Sequence, residues 1–184
     1  MNKRILGAVL AGGRSSRFGS DKALALVEGK SLLDHAIDSL QEHTAAVVVA
    51  GRPWHRALSL GDRPIHGMGP LCGLNAALHH AFATGHDWVV SVACDAPFLP
   101  AGLLQQLASF SAPTYIEAHP VIGLWPSDAA PALETFLQEP GRHSVRGFAA
   151  AIGSAPWNPG IHIANFNYSS DLENWRMQVG TYEP

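Results

Sequence analysis

At 184 residues, with 47% apolar and 15% charged side chains, the chain is long enough for one substantial core and too apolar for a disordered segment. Its net charge of −3 is uneven: six of the 12 Lys and Arg residues fall in the first 30 positions, opposed there only by Asp21 and Glu28, and none lies between Pro64 and Gly141. A local basic stretch in an acidic chain points to a compact anionic ligand rather than to a nucleic-acid track, although a solvated basic face gives the same count. No apolar run reaches the ~18 residues that span a bilayer. A strand pattern follows Met1-Asn2-Lys3-Arg4 directly, with no signal-peptide cleavage site before it, and Cys72 and Cys94 form neither a disulfide framework nor a C-x-x-C pair. The expectation is a single domain over residues 1–184 in a reduced, cytoplasmic compartment, with no membrane and no nucleic-acid partner.

In chain order, residues 4–10 (RILGAVL) read as a short buried strand bounded by glycines. Residues 31–43 read as a helix capped by Ser31, with Asp34 three residues on and Leu32, Leu33, Ala36, Ile37 and Leu40 on one face. Strands are expected at 45–51 (AAVVVAG) and, briefly, at 63–66, followed by a helix at 71–83 after the Gly69-Pro70 turn. Residues 87–93 (DWVVSVA) make a further strand ending on Cys94-Asp95, and proline favours a helix start near 101, running to 109. Two strands at 114–118 and 121–125, helices at 128–138 and 144–152, and a last short strand at 161–165 complete the pattern. The final helix opens on Ser170 and Glu173, a capping-box spacing, and ends near Met177. This alternation predicts a three-layer α/β/α sandwich around a Rossmann-like, mostly parallel sheet. In such sheets ligands bind beyond the carboxyl ends of the strands, so the loops after Leu10, before Leu71 and at Asp95 should converge.

The loop after the first strand, AGGRSSRFGSDK (residues 11–22), carries the clearest chemistry. Gly12 and Gly13 let a ligand approach the backbone and can adopt positive φ, and successive N–H groups there can form an anion nest. Arg17, as a fork, and Lys22, as a point charge, can neutralise a triphosphate. The spacing is neither the dinucleotide G-x-G-x-x-G nor the P-loop, so neither of those mechanisms transfers.

This loop resembles the signature of the sugar-nucleotide and cofactor nucleotidyltransferases, written roughly L-A-[GA]-G-x-[SA]-x-R-[FM]-G-x-[DP]-K. Within that group the chain most resembles the molybdenum cofactor guanylyltransferases: GPLCGL (69–74), CDAPFLP (94–100), HPVIGLW (119–125) and NFN (165–167) match further motifs in order and spacing. The resemblance covers almost the whole chain. It implies a nucleotide-diphospho-sugar transferase-like fold and the transfer of GMP from Mg·GTP to the terminal phosphate of molybdopterin, with release of pyrophosphate. It further implies nucleotide contacts at Leu10, Ala11, Gly12, Gly13, Lys22, Leu71, Gly73 and Asp95. Arg17, Lys22 and Asp95 would carry catalysis, Asp95 as the Mg²⁺ ligand, and Asn165 and Asn167 would contact the acceptor. Proteins that deliver molybdopterin or receive the product are the partners it suggests.

Two positions depart from that pattern. Ala50-Gly51-Arg52 stands where guanylyltransferases carry an asparagine after the second strand, and with a third strand at 63–66 no acidic residue follows it to read guanine. Three readings therefore remain: a guanylyltransferase, which AGG at residues 11–13 favours; the same chemistry with CTP or with a sugar- or alditol-phosphate acceptor; and a binding module of this fold without turnover. The ten histidines show no zinc-ligand spacing, and Cys94, at a strand end, reads as a small core residue.

Overall fold

The computed structural model describes residues 3–12, 21–64, 69–141, 143–166 and 168–179. A seven-stranded sheet organises them. The first strand, β1 (Ile5–Leu10), is buried at every position, as a strand covered on both faces must be. A hairpin of β2 (Leu26–Val27) and β3 (Lys30–Ser31) stands apart as a second, two-stranded sheet. Its two turn residues, Glu28 and Gly29, have φ of 51° and 76°, the left-handed pair of a type I′ turn.

Helix α1 (Leu32–Gln41) follows directly, with the Ser31 hydroxyl accepting from the Asp34 amide at 3.1 Å, the cap read from the sequence. Next come β4 (Ala46–Ala50), β5 (Leu58–Leu60), α2 (Pro70–Ala83), β6 (Trp88–Ala93) and α3 (Leu103–Ser109). The second half contains β7 (Thr114–Ile116), β8 (His119–Pro126), α4 (Ala130–Gln138), α5 (Val145–Ala151), β9 (Ala155–Trp157) and α6 (Ser169–Val179).

The strand order is β5-β4-β1-β6-β8-β7-β9. Strands β5, β4, β1 and β6 are mutually parallel; β8 alone runs the other way, between β6 and β7. Each face has its own core. Leu6, Ala8 and Leu10 of β1 pack with Leu71, Leu74 and Leu78 of α2 and with α4 and α5, whereas Ile5 and Val9 pack with α1 and α3. Alternation along one strand thus feeds both outer layers, and the predicted sandwich with a mostly parallel sheet is the observed one. No helix among the described residues is long and apolar enough to cross a membrane.

Four expectations are corrected. The third strand is Leu58–Leu60, not 63–66: Arg63 and Pro64 lie in a bend, and residues 65–68 fall outside the described ones. The last strand is Ala155–Trp157, not 161–165. An edge strand tolerates Pro156, whereas the burial of Ile163 comes from packing against the core rather than from sheet pairing. Helix α3 starts at Leu103, because Gly102 at φ 77° breaks the helical path after Pro100. At α6 the capping bond runs from the Tyr168 amide to the Asp171 carboxylate at 2.8 Å, in place of a Ser170–Glu173 box.

Candidate functional site

The carboxyl ends of β4, β1 and β6 lie side by side, and the backbone holds the loops beyond them together. The Ala11 amide donates to the Ala50 carbonyl at 2.9 Å, the Gly51 amide to the Leu60 carbonyl at 2.9 Å, and the Cys94 amide to the Leu10 carbonyl at 3.3 Å. The β1 and β4 loops then approach backbone to backbone. A Cβ on Gly51 would stand 2.5 Å from the Gly12 Cα, and Gly51 has φ 93°. Gly12 is thus crowded by the Gly51 backbone, and of the two it is Gly51 that has the positive φ.

Beyond these ends opens a cavity of about 340 Å³, within the range of small-molecule sites. Its walls include Leu10, Gly12, Lys22, Gly73, Asp95 and Asn165, so the three loops expected to converge do so. Gly73 is a glycine because α2 presses on the sheet there: an added Cβ would lie 3.2 Å from the Ala50 Cβ. Ala11 is buried behind the wall. Leu71, expected to contact the nucleotide, is buried in the core and is not among the cavity's lining residues, where Gly69 and Pro70 are. Gly13, Arg17 and Asn167 lie outside the described residues.

Two ion pairs hold the end of the β1 loop at this edge of the sheet. The Lys22 ammonium donates to the Asp95 carboxylate at 2.6 Å, with the two side chains 14% and 19% exposed. The Arg52 guanidinium binds the Asp21 carboxylate with both ends of its fork, Nη1 to Oδ1 at 2.8 Å and Nη2 to Oδ2. Arg52 holds the Asp21 carboxyl below the usual carboxylate range. Asp21 Oδ1 also accepts from the Ala23 amide at 3.2 Å, which caps the 3-10 turn Lys22–Leu24.

Sequence reasoning missed Asp62. With the third strand at Leu58–Leu60, this residue stands two positions beyond it and lines the cavity, its carboxylate oxygens 3.2 and 3.4 Å from where a Gly12 Cβ would be. The acidic residue read as absent is therefore present. The signal available was Gly61-Asp62 after the alternating Leu-Ser-Leu. His119 also lines the cavity, and burial pushes its imidazole below the ordinary value while Asp95 pulls the other way. At the same end, the Phe166 amide donates to the Asp95 carbonyl at 2.8 Å and ties the 163–166 segment to the β6 loop. The neighbouring Asn165 Oδ1 is buried and has no hydrogen-bond partner among the described residues.

Burial pushes the Cys94 thiol up to about 12, so it stays protonated beside Asp95 and is no nucleophile near neutral pH. Among the described residues no group of three or more His, Cys, Asp or Glu gathers as a metal cage. One or two carboxylates in a cavity suit a Mg²⁺ that keeps waters and shares substrate phosphates, so the Asp95 carboxylate fits that ion.

The sequence profile described as the MobA-like NTP transferase domain matches residues 7–152. Among curated proteins, the chain is 40% identical over 154 residues to a molybdenum cofactor guanylyltransferase of Acidiphilium cryptum, covering 79% of each chain. It is 31% identical to a molybdenum cofactor guanylyltransferase of Sinorhizobium fredii, covering 94% of this chain and 92% of that one. Among solved structures, the molybdopterin-guanine dinucleotide biosynthesis protein A of Archaeoglobus fulgidus superposes with a TM-score of 0.76 at 21% identity, over 96% of this chain and 99% of that one.

Proposed function

The chain belongs to the MobA-like NTP transferase family and is a nucleotidyltransferase, and from that premise we propose that it transfers GMP from GTP to the terminal phosphate of molybdopterin, in molybdenum cofactor biosynthesis. The observation that carries the reading is one cavity lined by both the Lys22–Asp95 pair and Asp62. In the strand order, β5 and β6 lie on opposite sides of β1, so the loops carrying Asp62 and Asp95 approach the cavity from opposite sides. Phosphate chemistry belongs at Lys22 and Asp95, and base recognition at Asp62.

Guanine presents an imino and an amino N–H on one edge, and an ionised carboxylate accepts both. Asp62 supplies such a group, which supports GTP over CTP. Lys22 offers a point charge to the triphosphate, and Arg17 and Gly13 extend that role in the loop before it. Asp95 would hold Mg²⁺, which when bound supplies Lewis-acid withdrawal of charge from phosphate oxygens. An oxygen of the acceptor phosphate attacks the α-phosphorus of GTP, a new phosphorus–oxygen bond forms, and the bond to the bridging oxygen breaks as pyrophosphate leaves. No protein nucleophile is needed, in keeping with the protonated Cys94. The chain contributes position and charge, the usual resources of phosphoryl transfer. Asn165, whose buried amide oxygen has no partner among the described residues, and Asn167 are the residues proposed to meet the acceptor.

The test is pyrophosphate release in the presence of Mg²⁺, molybdopterin and each nucleoside triphosphate in turn. Release with GTP alone is expected. Release with CTP alone would reassign the base, and binding without release would make the chain a non-catalytic module. Asp95→Ala should abolish turnover at near-original stability, and activity surviving that change would refute its metal role. Asp62→Asn should lower the preference for GTP over the other triphosphates while leaving tripolyphosphate binding in place.

A further inference from the structure

Asp21 and Lys22 are adjacent in the chain, and their side chains reach in opposite directions across the sheet. Asp21 is held by Arg52, just past the end of β4, while Lys22 is held by Asp95, just past the end of β6. These two strands flank β1 on either side, so the far end of the β1 loop is moored to both of its neighbours. The two moorings differ in kind. Lys22 and Asp95 line the cavity, with the triphosphate and Mg²⁺ as their proposed partners. Asp21 and Arg52 are not among the residues lining it, and both forks of the guanidinium are taken by the carboxylate.

We propose that Arg52 is a positioning residue for the triphosphate site, acting through Asp21 on Lys22. The path is short and continuous. Arg52 fixes both carboxylate oxygens of Asp21, Oδ1 of Asp21 accepts from the Ala23 amide, and that bond caps the single turn from which Lys22 projects. A planar fork on a carboxylate fixes orientation as well as distance, which a lysine in its place does not. The pair is partly exposed, with side-chain exposures of 24% and 38%, so it adds little to global stability; its effect is local order of the turn. Arg52 occupies the place where the resemblance implies an asparagine.

The inference rests on the triphosphate reading of the cavity, and the experiment separates the two. Affinity for inorganic tripolyphosphate, a probe without a base, is measured by calorimetry for the intact chain and for Lys22→Ala, Arg52→Ala, the double variant, Asp21→Asn and Arg52→Lys. Lys22→Ala should weaken binding tenfold or more. Arg52→Ala should weaken it about three- to tenfold, and the double variant should be no weaker than Lys22→Ala within about twofold, because residues acting in one chain are not additive. Asp21→Asn carries the decisive sign. It removes a negative charge and releases an arginine, so binding strengthens if Arg52 grips phosphate directly and weakens if Arg52 works through Asp21. Arg52→Lys should fall between the intact chain and Arg52→Ala.

Additive losses, or tighter binding by Asp21→Asn, would overturn the positioning role. An undiminished Lys22→Ala, or an intact chain that ignores tripolyphosphate, would instead overturn the reading of the site. Should Arg52→Ala fail to fold, the sign at Asp21→Asn and the rank of Arg52→Lys still decide.

Discussion

Replacing Gly51 by alanine tests the backbone crossing on which the cavity is built. The new Cβ would lie 2.5 Å from the Gly12 Cα and 2.6 Å from its nitrogen, with the Asp62 carboxylate at 3.1 Å. Carbon–carbon contacts are comfortable near 3.5–4.0 Å, and both nearest atoms are backbone, so no side-chain rotation relieves the clash. Two costs combine. An L side chain at positive φ costs roughly 1–2 kcal/mol, and overpacking adds about 1–3 kcal/mol. Reduced freedom of the unfolded chain offsets about 0.4–1 kcal/mol. The expected loss is about 2–4 kcal/mol, which at a slope of about 2 kcal/mol/M lowers the urea midpoint by roughly 1–2 M.

Two comparison variants isolate the contributions. Gly153 has φ 68° with nothing within 4 Å of an added Cβ, so Gly153→Ala carries the backbone cost alone, roughly 1 kcal/mol. Gly61 has neither a positive φ nor a neighbour within 4 Å, so Gly61→Ala should be neutral or slightly stabilising. The assay is urea unfolding followed by tryptophan fluorescence, with midpoints and slopes compared across the three. If Gly51→Ala cost no more than Gly153→Ala, the crowding at Gly12 would not be real and the cavity wall would be misdrawn.

Three further outcomes are expected. Ser91→Ala removes the hydroxyl that accepts from the fully buried Trp125 indole at 2.8 Å, so the unpaired N–H should cost about 1–3 kcal/mol in denaturant unfolding. Cys94, with its thiol held near 12, should resist alkylation at pH 8 in the native chain and react on unfolding, which a timed thiol assay with and without urea will show. Glu134 accepts from Arg63 at 2.9 Å, from Asn75 at 2.8 Å and from His79 at 3.1 Å; Arg63 foremost, then Asn75, lowers its pKa in the folded chain. A lowered folded pKa gives stability that is present above the ordinary value of 4.5 and lost as pH falls through the lower native one. Glu134→Gln should therefore flatten that part of the acid-unfolding curve and leave the curve above pH 6 parallel to the original.

The fold was legible wherever one element buries a whole face. The sequence of β1 is apolar from end to end and bounded by glycines, and α1 shows five apolar residues at helical spacing behind a serine cap. Elements at the margins gave weaker signals. Leu58-Ser59-Leu60 is a three-residue edge strand with no buried position, so its one alternation before Gly61-Asp62 is a weak signal against a loop. Ala155-Pro156-Trp157 carries a proline that argues against a strand except at an edge, and it occupies an edge. The hairpin turn at Glu28-Gly29 escaped notice because glutamate is an unusual first residue for a type I′ turn, where asparagine or aspartate is the common signal.

The same marginal strand decided what could be read of the site. Lys22 and Asp95 were singled out from the charge and place of their loops and Gly73 from the resemblance, so an error of one or two residues in a boundary does not move them, and all three line the cavity. Asp62 depended on the weakest strand of the sheet. Placing that strand five residues late, at 63–66, moved the search for an acidic residue to its end and the residues after it, which hold no carboxylate. Once the Gly51 amide is seen to bond the Leu60 carbonyl, the strand is fixed, and the next two residues must turn over the end of β4 toward Gly12. An acidic side chain there is then unavoidable from the backbone path. Arg52 was invisible for a different reason. Its partner Asp21 lies 31 positions away, and no local pattern joins a residue after β4 to the end of the loop that begins at β1. Motifs report what a loop carries; which strand it is tied to is a property of sheet order, and that appears only when the strands are laid side by side.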